Sequence, residues 1–198
     1  MPGSLPTFKR EVAAHIREQL ADGAPAVDIG PGMGWWSDLV GHGRMDCVEI
    51  FAPYVERYGL RSKYRQVITN NVMAVEPRAY GWTFAILGDV LEHLTVEEAQ
   101  YIVRTWTAQG CRLLVAVPFL SPQEATADNE HEAHLQTDLT PEVMAARYPE
   151  LHPLIIGPDY GYYVSYDADV LIPDGLPPIE PPQRVPVLWW AGARGYWD

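Results

Sequence analysis

Cysteine is scarce in this chain: Cys47 and Cys111 are the only two, and they form no CxxC pair. That excludes a disulfide framework and a thiolate zinc site, and both read as small buried thiols in a reducing compartment. Long apolar runs are also missing. No stretch approaches the roughly 20 residues that a membrane-spanning helix needs, and the N-terminus lacks the basic region and apolar core of a secretory leader. A cytoplasmic protein without a membrane partner is the expectation. Basic charge is the third shortage. Only 14 Lys and Arg stand against 26 Asp and Glu, a net charge of −12, and such a surface repels a phosphate backbone, so extended nucleic acid is not an expected partner. The local basic strip of Arg57, Arg61, Lys63 and Arg65 reads as the solvated end of a helix.

What is present is enough for one full core. At 198 residues and 47% hydrophobic composition the chain suits a single globular domain and is too short for two ordinary ones. Its organising stretch is Ala26-Val27-Asp28-Ile29-Gly30-Pro31-Gly32-Met33-Gly34, a short apolar run that becomes glycine at alternate positions and continues into Trp35-Trp36-Ser37-Asp38-Leu39-Val40. This pattern predicts a strand, a tight turn and a helix over residues 35–40. Glycine is needed where backbone takes positive φ or approaches a ligand closely. The spacing is D-x-G-x-G-x-G rather than G-x-G-x-x-G, and no Lys-Ser/Thr pair follows to hold a triphosphate.

Asp28 to Gly34 resembles the first motif of class I S-adenosylmethionine-dependent methyltransferases, and Gly88-Asp89-Val90-Leu91-Glu92-His93-Leu94 resembles the motif that follows their fourth strand. The resemblance covers residues 26 to 150 and fades in the last quarter. It implies a three-layer, Rossmann-like α/β fold with a mostly parallel sheet and a reversed last strand. It also implies S-adenosylmethionine as cofactor, held by Asp28, Gly30, Gly32, Gly34, Glu49, Ile50, Asn71 and Asp89. In it Glu49, at the exit of the second strand, is the ribose-binding acid, and a carboxylate can accept from both ribose hydroxyls. Asn71 falls where a short polar residue meets the adenine amine, with Asn in place of the commoner Asp and Asn70 a competing choice. Asp89 is placed to hold the methionine ammonium.

The chain in order supports such a fold. Phe8, Val12, Ile16 and Leu20 recur every fourth position, predicting a helix over residues 5–20 that Asp22-Gly23 closes. A second strand is predicted over 45–50, a helix from Pro53 to about residue 58, and a third strand over 64–69. The apolar run 82–87 reads as a central parallel strand buried on both faces. Thr95-Val96-Glu97-Glu98 fits a capping box, which starts a helix over 96–108. Residues 113–117 make a fifth strand stopped by Pro118, and the apolar runs 154–156 and 162–166 around Gly157-Pro158-Asp159-Tyr160-Gly161 read as an antiparallel hairpin.

Between these, residues 121–138 form a long polar loop crowded with Glu124, Asp128, Glu130, His131, Glu132, His134 and Asp138. Three readings stand open. His134 is a general base for an acceptor hydroxyl, since imidazole titrates near neutrality. Alternatively, the carboxylates and imidazoles gather Mg²⁺ or a transition metal. In the third, the loop is solvated and His134 fixes the turn before Thr140-Pro141-Glu142, a helix start. No residue is assigned as a metal ligand, and His93 reads as structural.

The expected activity is methyl transfer to a small-molecule or glycan acceptor, a hydroxyl of a sugar or other small metabolite, with His134 as candidate base. The alternatives are a non-catalytic S-adenosylmethionine-binding module and a dinucleotide-dependent oxidoreductase, which the glycine spacing opposes. Residues 1–172 are expected to form the methyltransferase domain. Residues 173–198, rich in Pro and Trp, form an extended segment that packs on the domain or on a partner subunit, as in a homodimer.

Overall fold

The first helix and the first five strands follow from how apolar residues are spaced, and a computed structural model describing residues 7–168 shows where they go. Five strands run parallel: β1 (Ala26–Ile29), β2 (Asp46–Glu49), β3 (Val67–Thr69), β4 (Phe84–Gly88) and β5 (Arg112–Pro118). A closing hairpin adds β6 (His152–Ile156) and β7 (Tyr160–Val164), with β7 antiparallel to β5. The seven strands form one sheet in the order β3-β2-β1-β4-β5-β7-β6. Seven α-helices lie among the described residues: α1 (Lys9–Gln19), α2 (Trp35–Val40), α3 (Ala52–Arg57), α4 (Leu60–Lys63), α5 (Pro77–Tyr80), α6 (Val96–Ala108) and α7 (Pro141–Arg147).

Strand side chains alternate between the two faces of the sheet. On β5, Leu113, Val115 and Val117 enter one core, where Ala99, Ile102, Val103 and Trp106 of α6 meet Met144 of α7. Leu114 and Ala116 enter the other, facing Val12, Ala13 and Ile16 of α1, Trp36 and Val40 of α2, and Val55 of α3. This is the three-layer arrangement, and it explains why β4 and β5 read as continuous apolar runs: neither face meets water.

Local signals set the helix ends. Thr95 and Glu98 close a full capping box on α6, and the Thr140 side chain accepts from the Val143 N–H at the start of α7, with Pro141 at its first position. Several boundaries differ from expectation: β4 begins at Phe84 rather than at residue 82, β7 spans Tyr160–Val164 rather than residues 162–166, and two more have a visible cause. Phe8 takes a left-handed conformation, φ 57°, and caps α1, so the described helix begins at Lys9 rather than at residue 5. The third strand begins at Val67 rather than at residue 64 because the one-turn α4 uses up the preceding residues and turns Tyr64 into the core. Both cysteines are free and buried, as expected. Among the described residues no helix is long and apolar enough to cross a membrane. The Pro/Trp-rich segment 173–198 lies outside the described residues.

At the end of β4 the Trp36 indole lies so close to Gly88 that a Cβ added there would sit 2.5 Å from its Nε1. Gly88→Ala is expected to cost about 1–3 kcal/mol through overpacking, read as a lower urea midpoint. Adding Trp36→Phe, which frees that space, should recover part of the loss, so the double variant will be more stable than the two single effects summed.

Candidate active site

The sheet order reverses between β1 and β4: from β1 the chain moves outward to β2 and β3, then returns to β4 and moves the other way. Open α/β sheets bind ligands in the crevice beyond the carboxyl ends of the strands at such a point. Here that crevice is a cleft of about 500 Å³. The register Ala26↔Phe84 through Ile29↔Leu87 brings the residues that follow each strand side by side. Two motifs nearly sixty residues apart in sequence therefore share one cavity.

The glycine turn forms its floor. Gly30, Gly32 and Gly34 all have positive φ, at 59°, 51° and 80°, which a side chain would resist. The turn is pinned by Gly30 N–H donating to the Val48 carbonyl at 2.8 Å and Gly34 N–H to Pro31 at 2.7 Å. Gly30 and Gly32 line the cleft; Gly34 does not, and instead opens α2 as its cap beside Lys63. Asp28 also lies off the cleft surface, beneath the turn. Its Oδ2 accepts from the Tyr64 hydroxyl at 2.5 Å, its Oδ1 has no partner, and burial pushes its pKa up to about 7 against the pull of Tyr64 and Lys9.

Glu49 ends β2 at the cleft wall with 3% of its surface exposed. Burial raises its pKa to about 7, opposed by backbone N–H groups of Phe51, Gly32 and Ile50, the first donating to Oε1 at 2.8 Å. Ile50 beside it leaves an apolar side chain 38% exposed, a flat face for a ring. Asn70 and Asn71 both line the same end. The Asn71 Oδ1 accepts from Met73 N–H at 2.8 Å and Asn70 Oδ1 from Asn71 N–H at 2.9 Å, so each already fixes a turn.

Asp89 stands at the exit of β4 in a left-handed conformation, φ 56°, a strain on the order of 1–3 kcal/mol that the surroundings must hold in place. The Tyr160 hydroxyl donates to its Oδ1 at 2.6 Å; Oδ2 is buried with no partner. Such an orphaned acceptor on a cleft wall fits a cationic donor from a ligand. Lys9, which has no role in the sequence analysis, also lines the cleft. Burial lowers its pKa while Asp89 and Asp28 raise it, and its Nζ lies 5.1 Å from the centre of the Trp36 ring and 5.6 Å from that of Trp35.

The opposite wall comes from the turn 91–93 and the long loop. The acidic loop residues do not gather at one point. Asp128 pairs with Arg57 and Asp138 with Arg147, while Glu124 and Glu130 are exposed. Glu132 instead turns inward, its Oε1 accepting from the Tyr54 hydroxyl at 2.9 Å and from Asn129 at 3.2 Å. His131, Glu132 and His134 reach the cleft, where His134 meets Glu92 and His93. Burial raises the Glu92 pKa, with Asp89 adding to it, and burial lowers that of His93, which is therefore neutral near pH 7. Sequence reasoning missed Glu92 because it sits in a motif that also reads as a buried turn.

Comparison with solved structures gives matches in fold. The mitomycin 7-O-methyltransferase MmcR is 17% identical with a TM-score of 0.53 over 80% of this chain and 54% of its own. A DhpI–SAM–HEP complex is 11% identical with a TM-score of 0.56, covering 81% of this chain and 87% of that one. The small RNA methyltransferase HEN1 is 12% identical with a TM-score of 0.59, over 83% of this chain and 26% of that one. This chain thus spans about half the length of the mitomycin enzyme and about a quarter of the small-RNA enzyme. No family model and no curated protein matches it.

Folding raises the Asp28 and Glu49 carboxyls from an ordinary value near 4 to about 7. Between those limits the folded chain holds protons that the unfolded chain has released, so stability must fall as pH rises through that window. The thermal midpoint of the ligand-free protein is expected to drop from about pH 5 to about pH 8, and Asp28→Asn should flatten the slope, as scanning calorimetry will show.

Proposed function

On a chain with the fold of class I S-adenosylmethionine-dependent methyltransferases, we propose that this cleft holds S-adenosylmethionine and directs its methyl group to a hydroxyl of a small molecule, such as a sugar or another metabolite. The observation that carries the reading is the convergence of the glycine turn, Glu49 and the unpartnered Asp89 Oδ2 on one cavity at the switch point of the sheet. When bound, the cofactor supplies a methyl group already activated on a sulfonium.

The chain's own residues then have mainly to bind, align and exclude water. Gly30 and Gly32 let backbone approach the ligand, and the Glu49 carboxylate accepts from the ribose hydroxyls. Ile50 offers its apolar face to the adenine, whose amine meets Asn71. The Asp89 carboxylate takes the ammonium. Asp28 and Gly34 act from below, shaping the turn that the ligand rests on. On the acceptor side His134 holds its Nδ1 2.5 Å from the Ser121 carbonyl. A carbonyl can only accept, so Nδ1 carries the proton and Nε2 keeps a lone pair that can receive the acceptor's hydroxyl proton.

A small acceptor fits better than an RNA strand. Each member of the basic strip is matched to an acid: Arg57 to Asp128, Arg61 to Glu56, Lys63 to Asp38 and Arg65 to Asp46. The strip therefore offers a phosphate backbone little uncompensated charge. The mitomycin enzyme, by its name, acts on a small molecule.

Isothermal titration with S-adenosylhomocysteine tests the cofactor half. Glu49→Ala should weaken binding by roughly 10- to 100-fold, the worth of charge-assisted hydrogen bonds to two hydroxyls. Transfer of labelled methyl to a panel of hydroxylated metabolites tests the other half, with His134→Ala expected to slow turnover by about 10² to 10⁴ while leaving cofactor affinity unchanged. A flat titration with wild-type protein would sink the reading.

A further inference from the structure

We infer that Glu92, His93 and His134 form a binding site for one divalent first-row transition-metal ion on the acceptor side of the cleft. The three residues offer ligand atoms that all lie within 4.8 Å of one another. Metal bonds of about 2.0–2.2 Å place neighbouring ligand atoms about 3–4.4 Å apart, so a small inward movement of side chains completes the site.

Two features point to a cation, and a third holds the site together. Glu92 is 1% exposed and both its carboxylate oxygens are buried without a partner, although it lines the cleft. A group so placed requires a donor or a cation. Next, both imidazoles are held in one tautomer: Nδ1 of His93 lies 3.0 Å from the Ala133 carbonyl and Nδ1 of His134 2.5 Å from that of Ser121. Each Nδ1 must donate, which leaves Nε2 of each ring with its lone pair, the outer-shell arrangement that orients metal-ligating histidines. The rings stand edge to face with centroids 4.7 Å apart. Finally, the two chain segments are locked together: the Leu135 and Gln136 N–H groups donate to the Glu92 carbonyl at 2.7 and 3.0 Å. The loop that brings His134 is thereby registered on the turn that brings Glu92 and His93.

Two imidazoles and one carboxylate favour Mn²⁺, Fe²⁺, Co²⁺ or Zn²⁺ over Mg²⁺ and Ca²⁺, which take oxygen ligands. Three protein ligands leave positions open toward the cleft for an acceptor oxygen. The catalytic consequence rests on the methyl-transfer reading above and changes one part of it, because a nitrogen bound to metal has no lone pair for a proton. His134 is then a ligand, and the ion acidifies the acceptor hydroxyl. The O–H proton passes to solvent, an O–C bond forms to the methyl carbon, and the C–S bond breaks with its electron pair left on sulfur.

The test uses the full chain, stripped with chelator and titrated with Co²⁺, followed by calorimetry and visible absorption. One Co²⁺ per chain with ligand-field bands is expected, with Mg²⁺ binding far more weakly. Glu92→Gln and His134→Ala should each weaken Co²⁺ at least about tenfold; His134 is only half-buried, so that variant serves if the Glu92 change prevents folding. Absence of Co²⁺ binding, binding unchanged in His134→Ala, or Mg²⁺ bound as tightly as Co²⁺ would each overturn the inference. Titration of the same stripped protein with S-adenosylhomocysteine separates the two proposals. A normal titration with no Co²⁺ site leaves methyl transfer standing with His134 as base, whereas Co²⁺ bound beside a flat nucleoside titration leaves the ion site without that chemistry.

Discussion

The parallel pairing of β1 with β4 is the constraint on which the site depends. These two strands are far apart in sequence, yet their register over Ala26↔Phe84 to Ile29↔Leu87 lays the glycine turn alongside Asp89. Every other element answers to that pairing. The helices α1 and α2 cover one face and α6 and α7 the other, which makes the central strands dry on both sides and fixes their register through packing. A slip by one residue would send Asp28 and the apolar residues beside it to the wrong faces.

Acids short of donors line the resulting cleft, as Asp89 and Glu92 do, or lie beneath it, as Asp28 does. Asp28, Asp89 and Glu92 each carry buried carboxylate oxygens with no partner, and burial raises the pKa of Asp28, Glu49 and Glu92. In the ligand-free chain such groups lower stability at neutral pH; with a cationic or hydroxyl-bearing ligand they become binding energy. The single basic side chain drawn into this region from α1, Lys9, offsets only part of the charge, since burial itself disfavours its ammonium. The groups that cost stability at neutral pH are thus among those that the proposed ligands would satisfy.

Much of the fold was legible because its signals are local. The start of α6 needs only Thr95 and Glu98, and β4 and β5 need only an uninterrupted apolar run. The hairpin β6–β7 announces itself through Gly157 to Gly161 between two such runs. The glycine spacing likewise survives as a linear pattern. What was not legible depends on contacts between distant segments. Lys9 opens an amphipathic helix and looks solvated until Trp35 and Trp36 cover it. Glu92 looks like one acid in a common turn, and only the loop folding back through Leu135 and Gln136 seals it from water. The same folding sorts a crowd of loop acids into exposed ion pairs and one inward residue, Glu132, which composition alone does not separate. Asp28 and Gly34 belong to the glycine motif, yet the geometry puts them under the cavity and not in its wall.

The left-handed backbone of Asp89 also narrows what this position can become. Gly adopts that conformation without strain, and Asp and Asn bear it at less cost than β-branched and bulky residues do. Asn would preserve one acceptor but bring a pair of donors against the Tyr160 hydroxyl and the space beyond it; Gly would keep the bend and lose the grip entirely. As sequences diverge, then, the chain's own torsion restricts this corner independently of the ligand proposed for it, and drift away from Asp89 has very few first steps open to it.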